Sequence, residues 1–200
     1  MKSYTDVYSY WFGDGPINTT AYAQSRNKLW FGKDLNVDVE MGAKFSSWLF
    51  QPPDPQLQRW KIDRRGTVAL VVLHDQFPRN IYRGTAKMYA WDLFALEMAR
   101  EALSQGVHES MSIFEALFLI LPFEHSEKLS DQQESVQLFS DLRDRCPPDL
   151  ISFGDDILNY AIRHLDIVES FGRFPHRNKI LGRTSTRAEV EFLSSPGSGF

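Results

Sequence analysis

Val68-Ala69-Leu70-Val71-Val72-Leu73 is the stretch on which the fold turns. It is apolar throughout and holds three β-branched valines, so local propensity alone allows a strand. A strand needs a partner, and no convincing one lies nearby in the chain. The run is therefore read as a buried helix. Outward from it, the dominant period is helical. Tyr4, Val7, Tyr8 and Trp11 share one face, and Gly13 stops that helix. Val37, Met41, Phe45 and Trp48 repeat the pattern, with Pro52-Pro53 ending it. Tyr89, Leu93, Leu96 and Leu103 line a longer helix that opens after Gly84-Thr85 and closes at Gly106. Ser112 with Glu115 fits a capping box, as does Ser130 with Gln133, and Val136, Phe139 and Leu142 follow as a stripe ending near Pro147. Ile157, Tyr160, Ala161, His164 and Val168 form the last strong stripe.

About seven or more helices with short loops predict an all-α array of antiparallel helix hairpins. Residues 1–200 are expected to form one helical domain. The Gln51–Gln56 loop, with three prolines, is the best candidate for a hinge or surface turn. Residues 194–200 form a Ser/Gly-rich surface tail, and Phe200 is placed to dock back.

Composition narrows the function classes. A hydrophobic fraction of 42% and an aromatic fraction of 14%, with 15 Phe and 5 Trp, can fill a substantial core, which excludes a disordered chain. The net charge of −4 and the lack of a Lys/Arg run argue against nucleic-acid binding. Cys146 is the only cysteine, so no intrachain disulfide is expected, and the thiol reads as a spectator. The longest apolar stretch, Ala116–Phe123, is too short to span a bilayer, and the start of the chain lacks the apolar core of a signal peptide. A soluble cytoplasmic protein is expected.

The chain also says nearly the same thing twice. Gln76–Thr85 reads Gln-Phe-Pro-Arg-Asn-Ile-Tyr-Arg-Gly-Thr, and Arg173–Thr184 reads Arg-Phe-Pro-His-Arg-Asn-Lys-Ile-Leu-Gly-Arg-Thr. Proline and glycine punctuate loops, so both copies are expected as loops that place polar groups near one another. Asp75, Gln76, Arg79, Asn80 and Arg83 in the first copy, with Arg173, Arg177 and Asn178 in the second, are the candidate ligand-binding residues. Planar guanidiniums grip carboxylate or phosphate through two hydrogen bonds, which points to an anionic ligand. The structural alternative is that these side chains cap carbonyls and bridge helices.

His125, Glu127 and His176 are the candidate catalytic residues. His125 stands between Glu124 and Glu127, whose charges would raise its pKa if they are close. His176 sits beside Arg177, which favours a neutral ring able to act as a base. The bland readings are a polar loop and a packing residue. His164 lies on an apolar stripe and reads as a core histidine, His74 as a helix-end residue and His108 as solvent-exposed. No spacing requires a metal, although His125, Glu127 and His176 could converge on one. A deaminase zinc site, a His-Glu-x-x-His helix, a dinucleotide fingerprint, a P-loop and a Gly-x-Ser-x-Gly elbow are all missing. Nothing identifies a cofactor.

Tyr10-Trp11-Phe12-Gly13, Leu29-Trp30-Phe31-Gly32, Asp75-Gln76-Phe77-Pro78-Arg79-Asn80, His125-Ser126-Glu127, Phe171-Gly172-Arg173-Phe174-Pro175-His176-Arg177-Asn178 and Pro196-Gly197-Ser198-Gly199-Phe200 carry a resemblance. They resemble the bacterial family catalogued as domain of unknown function 924, over almost the whole chain. The resemblance implies an all-α fold similar to tetratricopeptide-repeat proteins and implies no established activity. This chain departs at His74, where the family more often has an aliphatic residue. A regular 34-residue repeat spacing is lacking, so a peptide-binding role does not follow from the likeness.

Two functions are open at this point. One is a small-molecule site that binds an anion and exchanges a proton through His125 or His176, with Asp75 or Glu127 orienting it; convergence of the three segments in a cleft would mark it. The other is a helical scaffold for a protein or peptide partner, with the motifs as salt bridges; an exposed aromatic groove involving Trp11, Trp30, Trp48 and Tyr22 would mark that.

Overall fold

The computed structural model describes residues 2–50 and 54–195. Gln51, Pro52 and Pro53, half of the expected hinge loop, and the tail beyond Ser195 with Phe200 lie outside the described residues. Among the described residues there are nine α-helices and no strand. They are α1 Tyr4–Phe12, α2 Thr20–Phe31, α3 Leu35–Phe45, α4 Arg64–Ile81, α5 Asp92–Ser104, α6 Ile113–Glu124, α7 Leu129–Asp144, α8 Ile151–Phe171 and α9 Arg187–Leu193, joined in places by short 3-10 segments. The all-α expectation holds. Consecutive helices pack as neighbours, α4 on α5, α5 on α6, α6 on α7 and α7 on α8.

The Val68–Leu73 run lies in α4. Asp63 starts that helix, its side chain accepting from the Arg65 and Gly66 N–H groups. Gly66 is required by a close approach, since a Cβ there would fall against the Trp60 carbonyl. All six residues of the run are fully buried, because α1, α3, α5 and α6 pack around α4. A helix apolar on every side is stable only when enclosed, and here burial overrides the strand propensity of the valines. Two further helices set the site. In α6 all twelve residues are buried, and the Ser112–Glu115 capping box forms as expected. The Tyr8 hydroxyl donates to Glu115 Oε1 at 2.7 Å, tying α1 to the start of α6. Trp11, Trp30 and Phe118 meet edge-on at 5.2 and 5.0 Å in the centre.

Several local expectations are corrected. α4 runs through Pro78 to Ile81, so Asp75, Gln76, Arg79 and Asn80 stand on its last turns and only the end of the first copy is a loop. Pro78 lacks the N–H that would bond to the His74 carbonyl, but a helix near its end tolerates that single loss. The second copy is a loop around the 3-10 turn Pro175–Arg177, so the two repeats fold differently. Helix α7 begins at Leu129 with Lys128 before it, which puts Ser130 inside the helix and not at a cap. His74 lies within α4 and is fully buried, and His108 is half-buried. Trp11 and Trp30 are buried and belong to the core, not to an exposed groove.

Candidate functional site

Three segments meet: the end of α4, the end of α6 with its following turn, and the loop after α8. The α6 helix delivers Glu124 and, as its C-cap, His125. The turn behind it is held by Gln132 from α7, whose amide nitrogen donates to the Phe123, Glu124 and Ser126 carbonyls at 3.3, 2.7 and 2.6 Å. The Glu124 carbonyl is among those a helix end leaves without an intrahelical partner. Gly172, at φ 68°, ends α8 in the left-handed region and turns the chain into Arg173–Thr184.

Asp75 Oδ1 and His125 Nδ1 lie 2.7 Å apart, and Asp75 is fully buried. Burial alone would raise the Asp75 carboxyl, but Arg79 and the hydrogen bonds from His125 and Gln76 outweigh it and hold the group below the usual range. His125 goes the other way from the sequence expectation. Burial and then the Arg79 charge lower its pKa, and Asp75 offsets only part of that. The imidazole is thus neutral at pH 7, with Nδ1–H donated to Asp75 and Nε2 as the basic edge. Glu124 and Glu127, its chain neighbours, do not partner the ring.

Glu124 sits 5% exposed, and its Oε2 meets no hydrogen-bond partner. Burial and the Asp75 charge push it up to about 8, so it is a neutral acid at pH 7. His164 Nδ1 lies 3.7 Å from Glu124 Oε1 and is bonded to the Tyr160 carbonyl at 2.8 Å. Burial lowers His164 to about 3, which agrees with a neutral core histidine, though one at the margin of this cluster. His176 is lowered to about 4 by burial and then Arg177, as its neighbour in the chain predicted.

The arginines divide into two kinds. Arg79 donates to both oxygens of Asp92 at 2.8 and 3.0 Å and to the Asp75 carbonyl at 2.7 Å. Arg83 grips Asp38 at 2.7 and 2.9 Å and donates to Asn80 Oδ1. Arg173 grips Glu189 at 2.6 and 2.8 Å, stapling α9 to the loop. Arg183 grips Glu127 at 2.6 and 2.9 Å and donates to Asn178 Oδ1, while Glu127 also accepts from the Phe174 N–H at 2.8 Å. Arg177 is different. It is 7% exposed, sits over the Tyr89 and Phe174 rings at 4.6 and 4.5 Å, and forms an ion pair with Asp92 at 3.7 Å, beyond hydrogen-bond length. Its Nε has no partner. Burial and the Arg79 charge lower its pKa from the ordinary arginine value.

The predicted residues therefore converge in part. Asp75, Arg79, His125 and Arg177 form one packed cluster, with His176 beside it. Gln76 and Asn80 flank it, Asn80 donating to the Gln76 carbonyl. Glu127, Asn178, Arg173 and Arg83 act as ties between elements. Asp92, Tyr89 and Arg183 complete the cluster or its supports and were not singled out from the sequence as site residues, while Glu124 was named only as a charged neighbour of His125. Glu124 had a readable sign, an acid at the end of an apolar helix. Asp92 had little, since an acid is ordinary at a helix start. Hollows of about 140 Å³ beside His108 and Arg145, and of about 240 Å³ beside Asn27 and Phe153, lie elsewhere. Among the described residues no group of three or more His, Cys, Asp or Glu side chains is placed to hold a metal ion, and no helix is long and apolar enough to cross a membrane.

The sequence pattern of a family described as bacterial protein of unknown function (DUF924) matches residues 7–197. A solved structure of a protein of unknown function from Agrobacterium tumefaciens is similar at 34% identity, with 96% of each chain covered and a TM-score of 0.78. No curated protein matches the chain. The motif residues, the helical fold and these likenesses agree: the chain belongs to the bacterial DUF924 family.

Proposed function

We propose that this protein binds a small anionic molecule where α4, α6 and the Arg173–Thr184 loop meet, and that the Asp75–His125 pair moves a proton on it. The observation that carries the reading is the 2.7 Å Asp75–His125 contact with Asp75 fully buried. A buried carboxylate on Nδ1 fixes the tautomer and steadies the imidazolium that forms when Nε2 takes a proton. Ser126 Oγ, next to His125 in the chain, is spent on Asp131 at 2.7 Å and is not free to serve as nucleophile. The proton would come from water or from the ligand itself, which suits a hydrolase or a transferase. Arg177, buried and with an unpartnered Nε, supplies the anion anchor. Entry requires the loop to swing, for which Gly172 and Gly182, both left-handed at φ 68° and 66°, are suitable pivots.

A thermal-shift panel of phosphorylated and carboxylated metabolites, with and without divalent metals, tests the reading. A stabiliser whose effect disappears in Arg177→Ala and whose turnover disappears in His125→Gln is the expected result. No stabiliser across a broad panel would count against it.

A second reading, a helical scaffold for a protein or peptide partner, draws on the Arg83–Asp38, Arg173–Glu189 and Arg183–Glu127 pairs, which behave as structural ties. Phe31, Leu35 and Val39, 50, 75 and 73% exposed, give it an apolar surface. Pull-down with Leu35→Asp/Val39→Asp as the control distinguishes it.

A further inference from the structure

We infer that the ligand of this site presents a carboxylate, bearing a single negative charge, to the free edge of the Arg177 guanidinium. The inference rests on the proposed function and narrows the chemistry of its ligand.

Arg177 is nine-tenths buried, and its Nε has no hydrogen-bond partner among the described residues. A guanidinium stays charged, so an N–H donor left unmet away from water is costly. The neighbours do not relieve it. Asp92 is the nearest acid at 3.7 Å, and both of its oxygens are already held by Arg79 at 2.8 and 3.0 Å. The rings of Tyr89 and Phe174 at 4.6 and 4.5 Å contribute cation–π attraction but accept no N–H bond along the guanidinium edge. What is missing is an in-plane acceptor.

A guanidinium edge meets a carboxylate or a phosphate alike through two N–H groups, so charge is what favours a carboxylate. Arg79 and Arg177 stand against Asp75 and Asp92 at 3.5, 2.8 and 3.7 Å, while His125, His176 and Glu124 are neutral. A monoanion adds one uncompensated charge to a low-dielectric interior. A phosphate dianion adds two, facing Asp75 and Asp92. Acquiring a carboxylate also raises the proton affinity of His125, so binding is expected to take up protons near pH 7.

The test uses the full chain with acetate, propionate and benzoate as carboxylate probes, and with inorganic phosphate as the rival. Thermal shift and calorimetry are read for wild type, Arg177→Lys and Arg177→Met. Saturable stabilisation by a carboxylate in wild type, lost in both variants, is the expected result. Arg177→Met without any probe should still fold, since both Asp92 oxygens keep their hydrogen bonds from Arg79. A phosphate shift that depends on Arg177, with no carboxylate shift, would overturn the inference while leaving the anion reading standing. Carboxylate binding that survives in Arg177→Met would place it elsewhere and also overturn the inference. If no probe acts, the inference falls, and the metabolite panel with His125→Gln then decides the broader reading alone.

Discussion

Replacing Glu124 with glutamine should stabilise the protein, and by an amount that grows with pH. Glu124 is buried, its Oε2 is unpartnered and its folded pKa is pushed from 4.5 up to about 8. Between those values the folded chain keeps the Glu124 proton and the unfolded chain has released it. Stability from this group is therefore fully present below pH 4.5 and is lost as pH rises, at about 1.4 kcal/mol per pH unit. By pH 7 the loss is roughly 3 kcal/mol, and it ends near pH 8. His74, His164 and His176 have depressed pKa values, so they act in the opposite direction below the ordinary histidine range and contribute little above it. The window from pH 7 to pH 8 isolates Glu124. Chemical denaturation of wild type and Glu124→Gln across pH 5 to pH 8 is the assay. The difference should be small at pH 5, with the variant more stable by a few kcal/mol at pH 8. A difference independent of pH, or a variant less stable than wild type at pH 8, would refute the view of Glu124 as a neutral buried acid.

Other substitutions probe the supports of the site. Phe118→Ala, in the central aromatic group, should cost about 3–5 kcal/mol in denaturant unfolding. Gln132→Ala removes three bonds to the turn carrying His125; a loss of about 2 kcal/mol and a displaced His125 ring resonance are expected. Glu127→Gln weakens the tie to Arg183 and the Phe174 N–H at a cost of about 1 kcal/mol, since the pair is partly exposed. Hydrogen exchange should then quicken across residues 173–193 and stay unchanged in α4 and α6.

Much of the fold was legible in the sequence, and particular residues show why. Val68–Leu73 could be assigned to a helix because a strand without a partner has nowhere to place its backbone groups, whatever valine prefers. The Ser112–Glu115 box was readable because its two bonds are local, whereas Ser130–Gln133 matched the same letters where Lys128 already begins the helix. Pro78 was misread as a loop marker, because whether one lost bond stops a helix depends on the packing that holds it. The site was legible as a list of residues but not as a set of pairings. His125 was judged by its chain neighbours, yet its partner Asp75 comes from another helix and brings Arg79 with it. The five motif arginines look alike in sequence. Only the fold distinguishes Arg177, whose Nε lacks an acceptor, from Arg79, Arg83, Arg173 and Arg183, which grip a carboxylate.

The central claim is a neutral His125 oriented by Asp75, and ring-nitrogen NMR of the histidines titrated from pH 4 to pH 8 tests it most directly. The account predicts that His125 at pH 7 carries its proton on Nδ1, keeps Nε2 bare and charges only below the ordinary histidine range, with Asp75→Asn abolishing the preference. A doubly protonated ring at pH 7, or a proton resident on Nε2, would contradict it.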